Sequence, residues 1–138
     1  MNTPIALALL ALVTFGLGDF IYKIAGSNQA YGPSYMLVYA LFIGILAIVM
    51  HIIDRHSLDL SPKMTGLAAL GGIITGTGLF AILLAFRLGG HGSIIFPIAG
   101  LSVIVSVPLS FIVFREPLTA TKLLGFGLGV SSIIVLSR

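Results

Sequence analysis

The chain contains no cysteine and no tryptophan, and charge is scarce: seven Lys and Arg and four Asp and Glu in 138 residues. Without cysteine there are no disulfides, no thiol catalysis and no thiolate metal sites. Without tryptophan, any aromatic contact to a solute must use Phe or Tyr. The shortage of charge excludes more. A soluble domain carries about 25% charged residues, whereas this chain carries 8%, too few to cover a water-facing surface. Period-two alternation, the mark of a membrane barrel, is also missing. The basic residues stand singly and form no patch, which excludes nucleic-acid binding. The first four residues, Met1-Asn2-Thr3-Pro4, include no Lys or Arg, so the first apolar stretch is expected to stay as a transmembrane helix rather than leave as a secretory signal. No soluble domain or long tail is expected, so the protein is expected to act within the bilayer.

What the chain has is apolar sequence in long runs, with 58% hydrophobic residues and a mean hydropathy of +1.18. In hydrocarbon the backbone must satisfy its own hydrogen bonds, which leaves helices once a barrel is excluded. A span needs roughly 20 apolar residues. Five segments meet this, at about 4–25, 33–53, 64–86, 93–114 and 120–136, and predict an all-α five-helix membrane bundle in a single domain. Pro4, Pro33 and Pro62 fall at helix starts, where a missing N–H does no harm. Thr119 is placed to cap the fifth helix. Pro97 and Pro108 lie inside the fourth segment, where each removes an intrahelical bond and favours a kink. The bend is either purely structural or a helix deformed around a cavity, as in transporters.

Glycine pairs at four-residue spacing, Gly72 with Gly76 and Gly125 with Gly129, permit close helix approach. Packing within the chain is the default use; Gly125 and Gly129 are the better candidates for a dimer face. Gly125-Phe126-Gly127-Leu128-Gly129 lies in an apolar span with no preceding strand and no Lys-Ser/Thr, so it is not a nucleotide loop. With five spans the amino-terminal side holds Arg55, Lys63, Arg115 and Lys122, and the other side Lys23, Arg87 and Arg138. This slight bias favours a cytoplasmic amino terminus. It is weak enough to allow insertion in both orientations, so that two identical chains would form an antiparallel pair.

Ionisable groups inside spans are costly and usually functional. Asp19 and Lys23 are the two that fall there. At positions i and i+4 they share a helix face and are able to pair, with Phe15 and Tyr22 flanking the same stripe. In the plainer reading Lys23 snorkels to the interface and Asp19 is its satisfied partner. In the functional reading the pair faces a partly wet cavity, where Asp19 binds a cation or proton or Lys23 meets an anionic group. His51, Asp54, His56 and Asp59 read as a solvated loop rather than a metal site, and His91 as a turn residue. Glu116 reads as structural, capping a helix or pairing with Lys122. Thr75, Thr77, Ser102, Ser106 and Ser110 are expected mostly to bond helix carbonyls. Phe80, Phe86 and Phe96 are available for an aromatic wall, although lipid or core contact is their commoner use. No catalytic constellation converges, so no enzyme and no cofactor is expected.

Three stretches together resemble EamA-type domains of the drug/metabolite transporter superfamily. They are Thr14-Phe15-Gly16-Leu17-Gly18-Asp19-Phe20-Ile21-Tyr22-Lys23; Leu84-Ala85-Phe86-Arg87-Leu88-Gly89; and Phe114-Arg115-Glu116-Pro117-Leu118-Thr119 followed by Leu123-Leu124-Gly125. The resemblance covers nearly the whole chain in order. It implies a five-helix unit and secondary transport of small organic solutes. Family members commonly carry two units in inverted arrangement, ten helices in all, and this chain has one. The resemblance therefore implies a homodimer, or a heterodimer with another five-helix unit, in the plasma membrane of a prokaryote. The alternative is a non-transporting membrane subunit that stabilises or regulates a partner. Assignment of Asp19 rests on the charge argument and not on the resemblance.

Overall fold

The computed structural model describes residues 3–58, 60–115 and 119–136, with the backbone alone at 122, 133 and 136. All the regular elements described are helices: α1 (Thr3–Ser27), α2 (Gly32–Asp54), α3 (Pro62–Arg87), α4 (Gly92–Gly100), α5 (Ser102–Phe114) and α6 (Ala120–Leu136). Four stretches are long and apolar enough to cross a bilayer: Thr3–Ser27, Gly32–Asp54, Pro62–Arg87 and Gly92–Phe114. α6 is a shorter apolar helix of 17 residues. These are the five spans of the sequence, with boundaries shifted by at most two residues.

The fourth span departs from a continuous helix. It breaks at Leu101, between α4 and α5. Pro97 has no N–H to offer the preceding turn, and Gly100 is a poor helix former. The Leu101 N–H instead closes back on the Ile98 carbonyl at 3.1 Å, and the Ile104 N–H closes on the Leu101 carbonyl at 2.7 Å, so the chain tightens here into three-residue turns. Pro108, the other kink candidate, lies within α5 and does not divide it.

Helix ends follow capping chemistry. The Ser61 hydroxyl accepts from the Met64 N–H at 3.5 Å, with Pro62 in the first turn of α3. The Thr119 carbonyl accepts the Leu123 N–H at 3.1 Å, at the start of α6. The turns after α1 and α3 share one backbone pattern, offset by sixty positions. A left-handed residue, Gln29 (φ 57°) or Gly89 (φ 89°), donates its N–H to the Gly26 or Phe86 carbonyl at 2.9 and 3.0 Å. An extended residue, Tyr31 or His91, then leads into the next helix, and the first residue of that helix, Gly32 or Gly92, is buried.

The chain forms two compact units, Met1–Gly89 and Gly90–Arg138. In the first, α3 is the centre, and α1 and α2 each pack on it more extensively than they touch each other. Gly26 is what lets α1 in close. A Cβ built there would lie 2.5 Å from the Phe86 Cβ and 3.0 Å from the Leu83 carbonyl oxygen. Leu83 and Phe86 are the buried apolar side chains at this crossing.

The same crossing is pinned by polar groups. Arg87 Nε donates to Gln29 Oε1 at 3.2 Å, and Gln29 Nε2 donates to the Arg87 carbonyl at 3.0 Å. Left-handed backbone costs a residue with a Cβ about 1–2 kcal/mol, and these two bonds offset that cost. Gln29→Ala loses the bonds and keeps the strain, whereas Gln29→Gly loses the bonds and relieves it. Denaturant unfolding in mixed micelles is therefore expected to find the alanine variant less stable than the glycine variant by about 1 kcal/mol.

In the second unit α4 packs against both α5 and α6. Val103, Ser106, Val107, Ser110 and Phe111 form one face of α5. With Gly125, Phe126 and Gly129 of α6 they line a groove of about 460 Å³.

Candidate functional site

Within the first unit, side chains of α1 and α2 meet at a tyrosine cluster, one turn along α1 from Asp19. α1 is 25 residues long, roughly 37 Å at 1.5 Å per residue. Asp19 lies about 12 Å of helix before its end at Ser27. Asp19 and Lys23 are both half-buried. Among the described residues no ion pair joins them or links either to another group. Helical spacing made the pair available, and the folded chain leaves it unmade. Tyr22 lies about one turn further along the same face of α1 as Asp19.

Tyr22 is the centre of a cluster. Its hydroxyl donates to the Tyr39 hydroxyl on α2 at 2.9 Å. Its ring meets Tyr35 and Tyr39 edge to face, with centroids 6.0 and 5.9 Å apart, while Tyr35 and Tyr39 stack on each other at 6.2 Å. Such pairs favour these geometries because a ring edge is positive and its face negative. α2 can present both rings because positions 35 and 39 are one turn apart. Phe15 stays outside the cluster and is 74% exposed.

Tyr35 and Tyr39 were not singled out from the sequence, yet a signal was there. All four tyrosines fall between positions 22 and 39, and Tyr31, Tyr35 and Tyr39 repeat every four residues. Tyr31, the first of that stripe, is 63% exposed and takes no part in the cluster.

The remaining candidates are dispersed. Gly72 and Gly76 line a groove of about 660 Å³ between α2 and α3, together with Met36, Thr77 and Phe80. Of these two glycines, Gly76 would bring a Cβ within 3.5 Å of the Met36 methyl, and Gly72 faces open space. Phe80 also closes over Gly32, and Phe86 is core. Gly125 and Gly129 have nothing within 4 Å of a Cβ position. Thr75 and Thr77 bond the Gly71 and Ile73 carbonyls at 2.7 and 2.8 Å, as membrane hydroxyls do.

His56 Nδ1 lies 3.4 Å from the Asp54 carboxylate, with both side chains exposed. Among the described residues no three His, Asp or Glu side chains gather as metal ligands would. Asp59 and Glu116, with the Lys122 side chain expected to pair with Glu116, lie outside the described residues.

The geometry is thus a half-buried carboxylate inside a span, without an ion pair among the described residues, one helical turn from a hydroxyl-linked aromatic cluster that joins two helices. Comparison with known proteins places it. The uncharacterized protein MJ1333.1 of Methanocaldococcus jannaschii is 27% identical over 139 residues, covering 99% of this chain and 98% of that one. No solved structure matches the chain. The model of the EamA-like transporter family matches residues 2–138. The chain is a multi-pass membrane protein that belongs to the EamA-like transporter family.

Proposed function

We propose that this chain is a secondary transporter of small organic solutes, coupled to a proton or another cation, and that it works as a pair of five-helix units in the plasma membrane of a prokaryote. Asp19 is the coupling residue, Lys23 its charged neighbour, and Tyr22 and Phe15 flank them on α1. The single observation that carries this reading is the state of Asp19: a carboxylate kept in a span without an ion pair among the described residues. An ionisable group in hydrocarbon is retained only where it has work to do or a partner to meet. A proton or a cation is the partner this one lacks.

Two features support the rest of the reading. The break at Leu101 puts a discontinuous helix in the fourth span, and transporters build their sites and rocking motions around such helices. The spans also present large apolar side chains outward, such as Leu37 at 74% and Phe114 at 75% exposed. Lipid covers part of this surface, and a second unit is proposed to cover the remainder. The open glycines Gly125 and Gly129 are the proposed contact.

The test begins with the purified chain in liposomes loaded with a pH-sensitive dye. A small-molecule extract added outside should evoke proton movement, or uptake of radioactive sodium if sodium is the coupling ion. Differently tagged copies should co-purify, and reporters fused to each terminus should show both orientations if the pair is antiparallel. A chain that moves nothing alone and recovers an unrelated partner is instead a non-transporting subunit.

A further inference from the structure

Along their helices the three clustered tyrosines lie nearer than Asp19 to the end that carries the α1–α2 turn. Tyr22 is about 8 Å of helix from the end of α1, and Tyr35 and Tyr39 are about 5 and 10 Å from the start of α2 at Gly32. Asp19 is deeper, at about 12 Å. Asp19 and Tyr22, three positions apart, share a face of α1, so the rings gathered at Tyr22 stand one turn from Asp19 on the side of the end that carries the α1–α2 turn.

That seam is not closed by backbone packing. α1 and α2 both rest on α3 and touch each other less. Among the described residues, the Tyr22–Tyr39 hydroxyl bond and the edge-to-face contacts of Tyr22 with both α2 rings join them across the gap. One neutral hydrogen bond and a few ring contacts form a weak closure between two firmly seated helices. A closure of this kind opens without disturbing the α1–α3 or α2–α3 packing.

We propose that Tyr22 and Tyr39 form a clasp that closes the α1–α2 seam over Asp19, with Tyr35 backing it, and that its opening admits the proton or cation from that face. Tyr39 is thereby a positioning residue of the site: it acts through Tyr22 rather than by touching the cargo. The inference rests on the reading of Asp19 as the coupling group, and it adds the residues that control access to it.

The test reads access directly, without transport. A water-soluble carbodiimide with an amine nucleophile labels carboxylates reached by water, and mass spectrometry reports each site. The chain has only four Asp and Glu, and exposed Asp54 serves as the internal standard. Tyr22→Phe and Tyr39→Phe each remove the hydroxyl bond and keep the rings. Each is expected to raise Asp19 labelling in liposomes roughly three- to tenfold, the effect of losing one neutral hydrogen bond from the closed state. Because the two hydroxyls act as one unit, the double variant should label no faster than the faster single variant. Tyr31→Phe, outside the cluster, should match the parent.

Unchanged labelling in Tyr39→Phe, or effects of the two variants that multiply, overturns the clasp. The two readings fail separately. Loss of flux in Asp19→Asn without a labelling change in the tyrosine variants sinks only the clasp. Faster labelling in those variants with intact flux in Asp19→Asn removes Asp19 from coupling and leaves the seam as its access route.

Discussion

Asp19→Asn is expected to reduce extract-evoked proton or sodium movement to the level of empty liposomes while the protein still inserts at parental levels. The substitution preserves size and hydrogen-bonding shape and removes only the ability to hold a charge or a proton. If Asp19 is the coupling group, nothing nearby replaces it. The other carboxylates are Asp54, Asp59 and Glu116. Asp54 is the last residue of α2, and the other two lie in the segments between the spans. Asp19→Glu keeps the carboxylate and should retain part of the flux. Lys23→Gln should reduce flux less than Asp19→Asn, because Lys23 makes no ion pair with Asp19 among the described residues. Flux in Asp19→Asn equal to the parent would take Asp19 out of the mechanism.

The largest stability effect is expected at Gly26. A Cβ there meets the Phe86 Cβ at 2.5 Å, the Leu83 carbonyl oxygen at 3.0 Å and the Arg87 backbone nitrogen at 3.3 Å. None of these atoms sits at the end of a flexible side chain, so α1 and α3 must move apart. Overpacking of this kind costs about 1–3 kcal/mol, and Gly26→Leu should sit at the upper end. Parting the helices also breaks the Gln29–Arg87 pair. Gly16→Leu is the matched control on the same helix, with nothing within 4 Å of its Cβ position. Its better helix propensity should leave it no less stable than the parent. Unfolding in mixed micelles that ranks the two variants equally would show that the α1–α3 crossing is not as tight as this geometry requires.

Much of the architecture was legible in the chain. Apolar run length placed the helices to within two residues, because once a barrel is excluded a bilayer leaves the backbone only the intrahelical hydrogen bond. The fourth span was marked for a kink at Pro97 or Pro108, but the position of the break was not readable. It falls at Leu101 because the tightened turn forms where Gly100 adds its own weakness, while Pro108 is carried inside α5. The glycine spacing was read for close packing at Gly72, Gly76, Gly125 and Gly129. The tightest approach at a glycine is instead at Gly26, one residue beyond the first predicted span. Spacing along one helix shows which residues share a face; it does not show which face meets a neighbour.

The site divides in the same way. Asp19 stood out because charge in hydrocarbon is costly in any fold, and Tyr22 lay beside it on the same helix. Tyr39 meets Tyr22 through a hydroxyl bond and an edge-to-face ring contact between helices, and among the described residues the Asp19–Lys23 pair that one helix permits is not made. Composition and run length alone established a lipid-embedded, five-span helical chain and placed one acidic residue, Asp19, inside a span, because those conclusions follow from solvation and backbone hydrogen bonding. Tertiary structure alone decided that α3 carries both α1 and α2, that Gly26 is a point of close contact, and that tyrosines from two helices meet one helical turn from Asp19. Those depend on how helices rotate and cross, which is settled by side-chain packing between segments far apart in the chain.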